Sequence, residues 1–557
     1  IIPGIRDKSR GEGVRTFLEF LTWEKIENVL AKGPPNESGG GFLQRFDKNK
    51  LKSVLLPPLY NHKKMTLLTE KLSTDLEELK PGIPEDQTQL NERLDIAIRK
   101  LDESDADSEQ PLREGMDAAY QGRNLVRLMI SGIEVDGERL VKVADDSLMN
   151  VESLGLDPSL VKGLAKSLYE AKKAKPGETI AIAGSSRNIE IIEEIARLCI
   201  ADGVHFVLDI YNSDLDAIMV NNADDEGITR LGEERTATYD PVKIKLEARS
   251  NSTAEFDPAQ MGKYGKALSR YIGRLTSGDL DFSLTIIPTE KDAELDGMEY
   301  DEYMRLFFES CDQPWAEISK AQTGLVEKLD QGKVLKITNA DGTNLTIDIE
   351  GFTFVNSGAD ANIPGSETFS APKKEGVNGT LVSKGSFKYG NFPLVKNITL
   401  VFENGKIIEA HAEEGEETLK EIIATDEGSE YTGEIAFGTN PHLRRHFVNA
   451  LLVEKIGGSF HLAIGACYTF KQYGGQEVSV DNGNKSDIHW DITTLLKNGQ
   501  VSLDGQLIQQ DGLWVDEAGT PDQNLAVLNY GWGALPEDQQ PDWWKERYPN
   551  GYEDVAQ

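Results

Sequence analysis

The stretch PGETIAIAGSSRNIEIIEEIARLCIADGVHFVLDI, residues 176–210, decides the architecture of the first half of the chain. Pro176-Gly177 marks a turn, and residues 179–183 form a short apolar run of strand length. Ile191, Ile195 and Leu198 then recur at i, i+4 and i+7, one face of a helix. A second apolar run follows at residues 204–210. Strand, helix and strand in this order predict a parallel pair joined by a covering helix. Gly184-Ser185-Ser186 lacks the glycine fingerprint of a dinucleotide site and reads as a plain strand-to-helix turn.

Outward from this unit the character changes on both sides. Helical patterning occupies residues 16–30, 62–79 and 88–101, interrupted by KGPPNESGGG and followed by the acidic run DESDADSEQP at 102–111. Residues 1–155 are therefore expected to be a helical extension of unassigned role. Residues 156–331 form the α/β domain, closed by helices at 301–311 and 315–329. From 332 to 530 strand patterns dominate, at 334–338, 345–349, 398–402, 407–410, 434–437, 460–465 and 488–492, which predicts an α+β domain with a mainly antiparallel sheet. The last segment, 531–557, is acidic and carries Trp532, Trp543 and Trp544, as expected of a tail packed on a protein surface.

Bulk properties narrow the function. A chain of 557 residues exceeds one core. With 94 acidic against 59 basic residues the formal charge is −35, which disfavours nucleic acid and anionic membrane as partners, since both are bound through Lys and Arg. The three cysteines, Cys199, Cys311 and Cys467, are too dispersed for a disulfide framework or a CxxC knuckle. No apolar run approaches bilayer-spanning length, and the opening residues lack the form of a signal peptide. A cytoplasmic location is the expectation.

The chemistry gathers in the strand-rich region. In DIHWDI the period of two puts His489 and Asp491 on one face and Ile488, Trp490 and Ile492 on the other. In FHLAIG, His461 shares a face with Ala463 and Gly465, whose small side chains leave room beside the imidazole. Glu434 opens the run EIAFG, where a buried carboxylate needs a counter-charge or a metal. Glu367 lies in the Pro/Gly/Ser-rich GSETFSAP, expected to be a loop. Two imidazoles and three carboxylates suit a pair of divalent cations sharing one water, with Zn²⁺, Mn²⁺ and Co²⁺ all matching the donors. A second histidine pair, His442 and His446 in NPHLRRHF, has helical zinc spacing but no accompanying HExxH glutamate. It reads as structural or solvent-facing, with Arg444 or Arg445 a candidate contact for the substrate's backbone or carboxylate.

The stretches ANIPGSETFSAPKKEGVNGT, GEIAFGTNP, EKIGGSFHLAIGACY and NKSDIHWDI closely resemble the M29, thermophilic-type metallo-aminopeptidases, and AKPGETIAI agrees with the same family over roughly residues 160–515. The resemblance implies metal ligands at Glu367, Glu434, His461, His489 and Asp491, with two divalent ions per subunit. It also brings Tyr468 to the site, as a hydrogen-bond donor to the oxyanion. An odd offset of seven from His461 would turn Tyr468 away, but Gly465 permits the bulge or turn that restores it. One of Glu367 and Glu434 bridges the ions or assists proton transfer. Where relatives commonly have Asp-Glu-Lys, this chain has Val453-Glu454-Lys455. The implied activity is removal of N-terminal residues from short peptides with a free amine, by a homodimer or higher homo-oligomer. The alternatives are another metal-dependent amidase, esterase or dipeptidase on the same site, or a non-catalytic acidic scaffold.

Overall fold

The computed structural model describes residues 110–549, apart from 135–136, 253, 391 and 474–475. The helices expected at 16–30, 62–79 and 88–101 lie outside the described residues. Two compact units are formed, one from Ile1–Asp157 and Leu168–Leu284 and the other from Pro158–Ser167 and Thr285–Gln557, taken over the described residues.

The first unit is built on a four-stranded sheet, in the order His205–Tyr211, Thr179–Ser185, Ile244–Ser250, Asp281–Ile287. The first two strands pair in parallel, Ile180 opposite Phe206 and Ile182 opposite Leu208. The helix Ile189–Asp202 joins them and buries Ile191, Ile192, Ile195 and Cys199. It stops at Gly203, whose left-handed φ of 68° lets its N–H cap the last turn. The strands are buried along nearly their whole length, as sheets covered on both faces require. The last two residues of the acidic run, Gln110 and Pro111, begin the helix Gln110–Ile130. Its Leu125, Val126 and Leu128 share a buried cluster with Leu215, Met219 and Leu231, so the described end of the leading segment is core material of this unit.

Charge is also buried here. Arg123 contacts Asp209 at 2.6 Å and Glu234 at 2.8 Å, and Arg127 contacts Asp216 at 2.7 Å. Arg235 reaches Asp209 at 3.2 Å. Burial alone would raise the Asp209 carboxyl, but Arg235 and Arg123 outweigh it and hold it well below the usual carboxylate range.

The second unit contains an eight-stranded antiparallel sheet and a five-stranded one. The smaller sheet runs His489–Leu495, Ser459–Gly465, Thr432–Gly438, Glu367–Ser370, Val355–Ser357, and all its pairings are antiparallel. One face of it, through Ile435, Phe437, Phe460, Leu462, Ile464 and Ile492, enters the same buried cluster as Leu335, Ile337 and Leu345 of the larger sheet. That cluster also takes Ile318, Leu325 and Leu329 of the helix Trp315–Leu329. This helix, read from sequence as closing the first domain, therefore belongs to the second unit, because its apolar stripe is buried there.

Candidate metal centre

The other face of the five-stranded sheet carries the polar residues, and register explains why they meet. His461 lies opposite Thr493 and Ala436; Ala463 lies between Asp491 and Glu434; Gly465 lies opposite His489. Cross-strand partners share a face, so the histidines and carboxylates of three strands converge over Ala463 and Gly465, whose size leaves the space. A β-irregularity between Thr432 and Glu434 sets that register. It falls at Gly433, where a Cβ would stand 2.2 Å from the Ala466 carbonyl.

Glu367 joins from the far side. It opens the strand Glu367–Ser370 and pairs with Gly438, which corrects the loop expectation. The strand is held by a partner distant in sequence. Ser366 before it has a φ of 93°, and Gln322, fully buried, donates to the Glu367 carbonyl at 3.0 Å and to Thr439 Oγ1 at 3.0 Å. Glu434, by contrast, is internal to its strand, the third residue of Thr432–Gly438.

The distances define two overlapping groups, Glu367 with Glu434 and His461, and Glu434 with His489 and Asp491, each offering donor atoms within 4.8 Å of one another. His461 Nε2 lies 3.6 Å from Glu367 Oε2, 4.0 Å from Glu434 Oε1 and 3.9 Å from Asp491 Oδ1. His489 Nε2 lies 3.1 Å from Glu434 Oε2 and 3.8 Å from Asp491 Oδ1. Glu434 is common to both groups through different oxygens, the arrangement a bridging carboxylate needs.

The donor set fits divalent cations on direct observations. Both ring nitrogens of His461 are buried without a hydrogen-bond partner, a costly state for a group of this polarity. Burial pushes its pKa down to about 3, leaving the neutral imidazole that ligates metals. His489 Nδ1 is 2.8 Å from the Ala466 carbonyl. Donating there aims Nε2 at two carboxylate oxygens, and a proton or a cation must stand between them. Burial, with the charges of Glu454 and other neighbouring carboxylates, pushes the Asp491 carboxyl well up. Burial also raises Glu434, against the pull of His489. So many carboxylates cannot all stay ionised in a dry site without added positive charge.

Tyr468 reaches this face. The strand ends at Gly465, whose φ of 100° turns the chain, and a Cβ there would meet the Ile488 carbonyl at 2.1 Å. The Tyr468 ring then lies 5.5 Å from that of His489 and 5.2 Å from Phe369. At 38% exposure it forms the open side of the face. The Glu434 charge, then burial, hold its hydroxyl protonated, well above the ordinary tyrosine value.

The second histidine pair takes no part. Residues 441–449 are irregular, not helical, so the i, i+4 geometry does not arise. Neither ring is solvent-facing. His442 Nε2 contacts Glu309 at 3.1 Å beneath Trp543, Trp544 and Tyr548 of the tail. His446 packs edge-on to Phe387 at 4.5 Å. Arg444 donates to the Pro441 and Asn529 carbonyls and Arg445 to that of Asp296, so both serve the fold.

Sequence reading passed over Lys455. Its ammonium is fully buried, 2.5 Å from Glu367 Oε1 and 2.8 Å from Glu454 Oε2. Burial would lower its pKa, but these carboxylates outweigh burial and raise it. Lysine is so commonly exposed that sequence alone gives no signal for this role.

Such a face, two imidazoles and three carboxylates over small residues, is the donor set of a candidate divalent-metal site. A family model described as thermophilic metalloprotease (M29) matches residues 161–514, and the chain belongs to that family. The chain is 38% identical over 189 residues to aminopeptidase AmpS of Bacillus subtilis (strain 168), a match covering 31% of this chain and 45% of the relative. It is 24% identical over 384 residues to aminopeptidase 2 of Geobacillus stearothermophilus, covering 61% and 91%. The AmpS match thus spans less than half of that relative's length. Among solved structures, wild-type AmpT from Thermus thermophilus shares the fold, with a TM-score of 0.51 and 21% identity over 64% of this chain and 99% of that one.

Proposed function

We propose that this chain is a metal-dependent aminopeptidase that hydrolyses the N-terminal residue from short peptides, using two divalent ions held by Glu367, Glu434, His461, His489 and Asp491. The observation carrying this reading is Glu434, shared by two donor groups beside a buried histidine with no hydrogen-bond partner. Membership of a metalloprotease family and relatives named aminopeptidases support it. Zn²⁺, Co²⁺ and Mn²⁺ all suit the donors.

Bound cations would supply an activated water and polarise the scissile carbonyl. The remaining work falls to the chain. Glu434 spans the two donor groups and fixes their separation. Lys455 engages one oxygen of Glu367 and leaves Oε2 facing His461. The Ala466 carbonyl orients His489. Tyr468, held protonated, donates a hydrogen bond to the oxyanion as charge develops. The aromatic rings of Phe369, Tyr468 and Phe470 pack against one another at the edge of the face.

The test is release of leucine from a Leu-initiated tripeptide by protein loaded with Zn²⁺, Co²⁺ or Mn²⁺, beside the N-acetylated peptide and a chelator control. Metal-dependent cleavage of the free-amine peptide alone is expected. Equal cleavage of both peptides would make the enzyme a broader amidase. No cleavage with any metal would remove the enzymatic reading. Self-association to a dimer or higher oligomer is part of the proposal and is read by sedimentation.

A further inference from the structure

Glu454 differs from the other carboxylates of the face. It caps the short helix Ala450–Val453 and belongs to neither donor group. Its side chain is 23% exposed, against 17% for Asp491, 9% for Glu367 and 4% for Glu434. Lys455, itself fully buried, binds Glu454 Oε2 and Glu367 Oε1 with the same ammonium. One lysine therefore ties a carboxylate of the donor set to a second carboxylate at the accessible margin. Because that ammonium lies 2.8 Å from Glu454 Oε2 and 2.5 Å from Glu367 Oε1, it holds the Glu454 carboxylate beside the donor set. Val453, the residue before Glu454, is buried and apolar, so it supplies no second acceptor at that turn.

We infer that Glu454 is the acceptor for the substrate's free α-ammonium group, with Lys455 fixing the direction of its carboxylate. The inference rests on the aminopeptidase reading and gives the residue that makes the site select chain ends. An ammonium donor needs an anionic acceptor that is not spent on a metal ion. Glu367, Glu434 and Asp491 are committed to the donor groups, whereas Glu454 keeps an oxygen beyond the one on Lys455. A charge-assisted hydrogen bond in a water-poor site is the strong kind. A peptide lacking the amine, or carrying an acetyl group there, leaves this carboxylate unanswered.

The experiment compares the full metal-loaded chain with Glu454→Gln, which keeps the size and an oxygen for Lys455, and with Glu454→Asp, which keeps the charge. Metal stoichiometry is measured first and is expected to be that of the wild type in both. For a free-amine tripeptide, Glu454→Gln should raise KM about 10- to 100-fold with kcat within about threefold of wild type. Inhibition by leucine should lose its advantage over inhibition by the desamino analogue of leucine, and Glu454→Asp should recover part of both effects. A fall in kcat at unchanged KM would make Glu454 a proton-transfer group and overturn the inference. Unchanged kinetics, or a loss of bound metal, would overturn it equally. If the wild type itself cleaves no free-amine peptide, the aminopeptidase reading fails before any variant is compared.

Discussion

The molecule buries charge in two places, and the two are built differently. In the first unit, Arg123, Arg127 and Arg235 stand against Asp209, Asp216 and Glu234, each carboxylate in contact with a guanidinium. In the second, Glu367, Glu434, Asp491 and Glu454 gather round one fixed cation, Lys455, and two histidines, one of which has no hydrogen-bond partner at all. The matched network satisfies its own charges and serves structure. The unmatched one carries an excess of negative charge, which an outside cation can answer. Density of buried charge does not mark a functional site; imbalance does.

The largest effect expected to sharpen this contrast is at Glu434. Glu434→Gln removes the group common to both donor sets and should lower kcat/KM by ~10³-fold or more, with bound metal lost and the thermal midpoint little changed. Retained turnover would end the bridging assignment. In the matched network the pattern inverts. Asp209→Ala leaves Arg123 and Arg235 without a shared partner and should cost about 3–5 kcal/mol of stability, read by urea unfolding, while metal stoichiometry of the folded fraction stays unchanged.

A third, smaller effect concerns a buried histidine outside both networks. Burial lowers the pKa of His446 to about 4 from its ordinary value of about 6.5. The folded value is depressed, so the stability His446 contributes is complete above about pH 6.5 and is lost as the pH falls toward 4. The loss amounts to about 3 kcal/mol at most. Asp296, raised to about 6 by burial, trends the opposite way, so the difference between wild type and His446→Leu isolates the term. That difference should narrow on acidification from pH 7 to 5. A constant difference would contradict the neutral buried imidazole. Smallest is Tyr468→Phe, which removes one hydroxyl from the open edge and should reduce kcat by about 10- to 100-fold with KM and stability nearly constant.

Much of this was legible in the sequence where the signal is local. The run at 176–210 specified strand, helix and strand because its apolar spacing switches period within a few residues. DIHWDI and FHLAIG announced their faces by alternation. What stayed hidden depends on partners distant in the chain. Glu367 looked like a loop residue because its four-residue strand exists by pairing with Thr432–Gly438 and Val355–Ser357, neither of which is its neighbour in the chain. The strand Ile244–Ser250 was unread because its Lys245 and Glu247 look exposed, yet they are buried on one another at 2.7 Å. His442 was left between solvent and structure because Glu309 and the tail tryptophans that enclose it lie far away in sequence. Lys455 and Gln322 position Glu367 without any local pattern to reveal them.

The most direct test of the account is a titration of metal-stripped full-length chain with Zn²⁺, Mn²⁺ or Co²⁺, followed by calorimetry and by elemental analysis after dialysis. Two equivalents per chain, falling on Glu434→Gln and unaffected by Asp209→Asn, are predicted. No specific uptake of any of the three ions, or uptake that survives Glu434→Gln intact, would contradict the claim that the unmatched face is built for divalent cations.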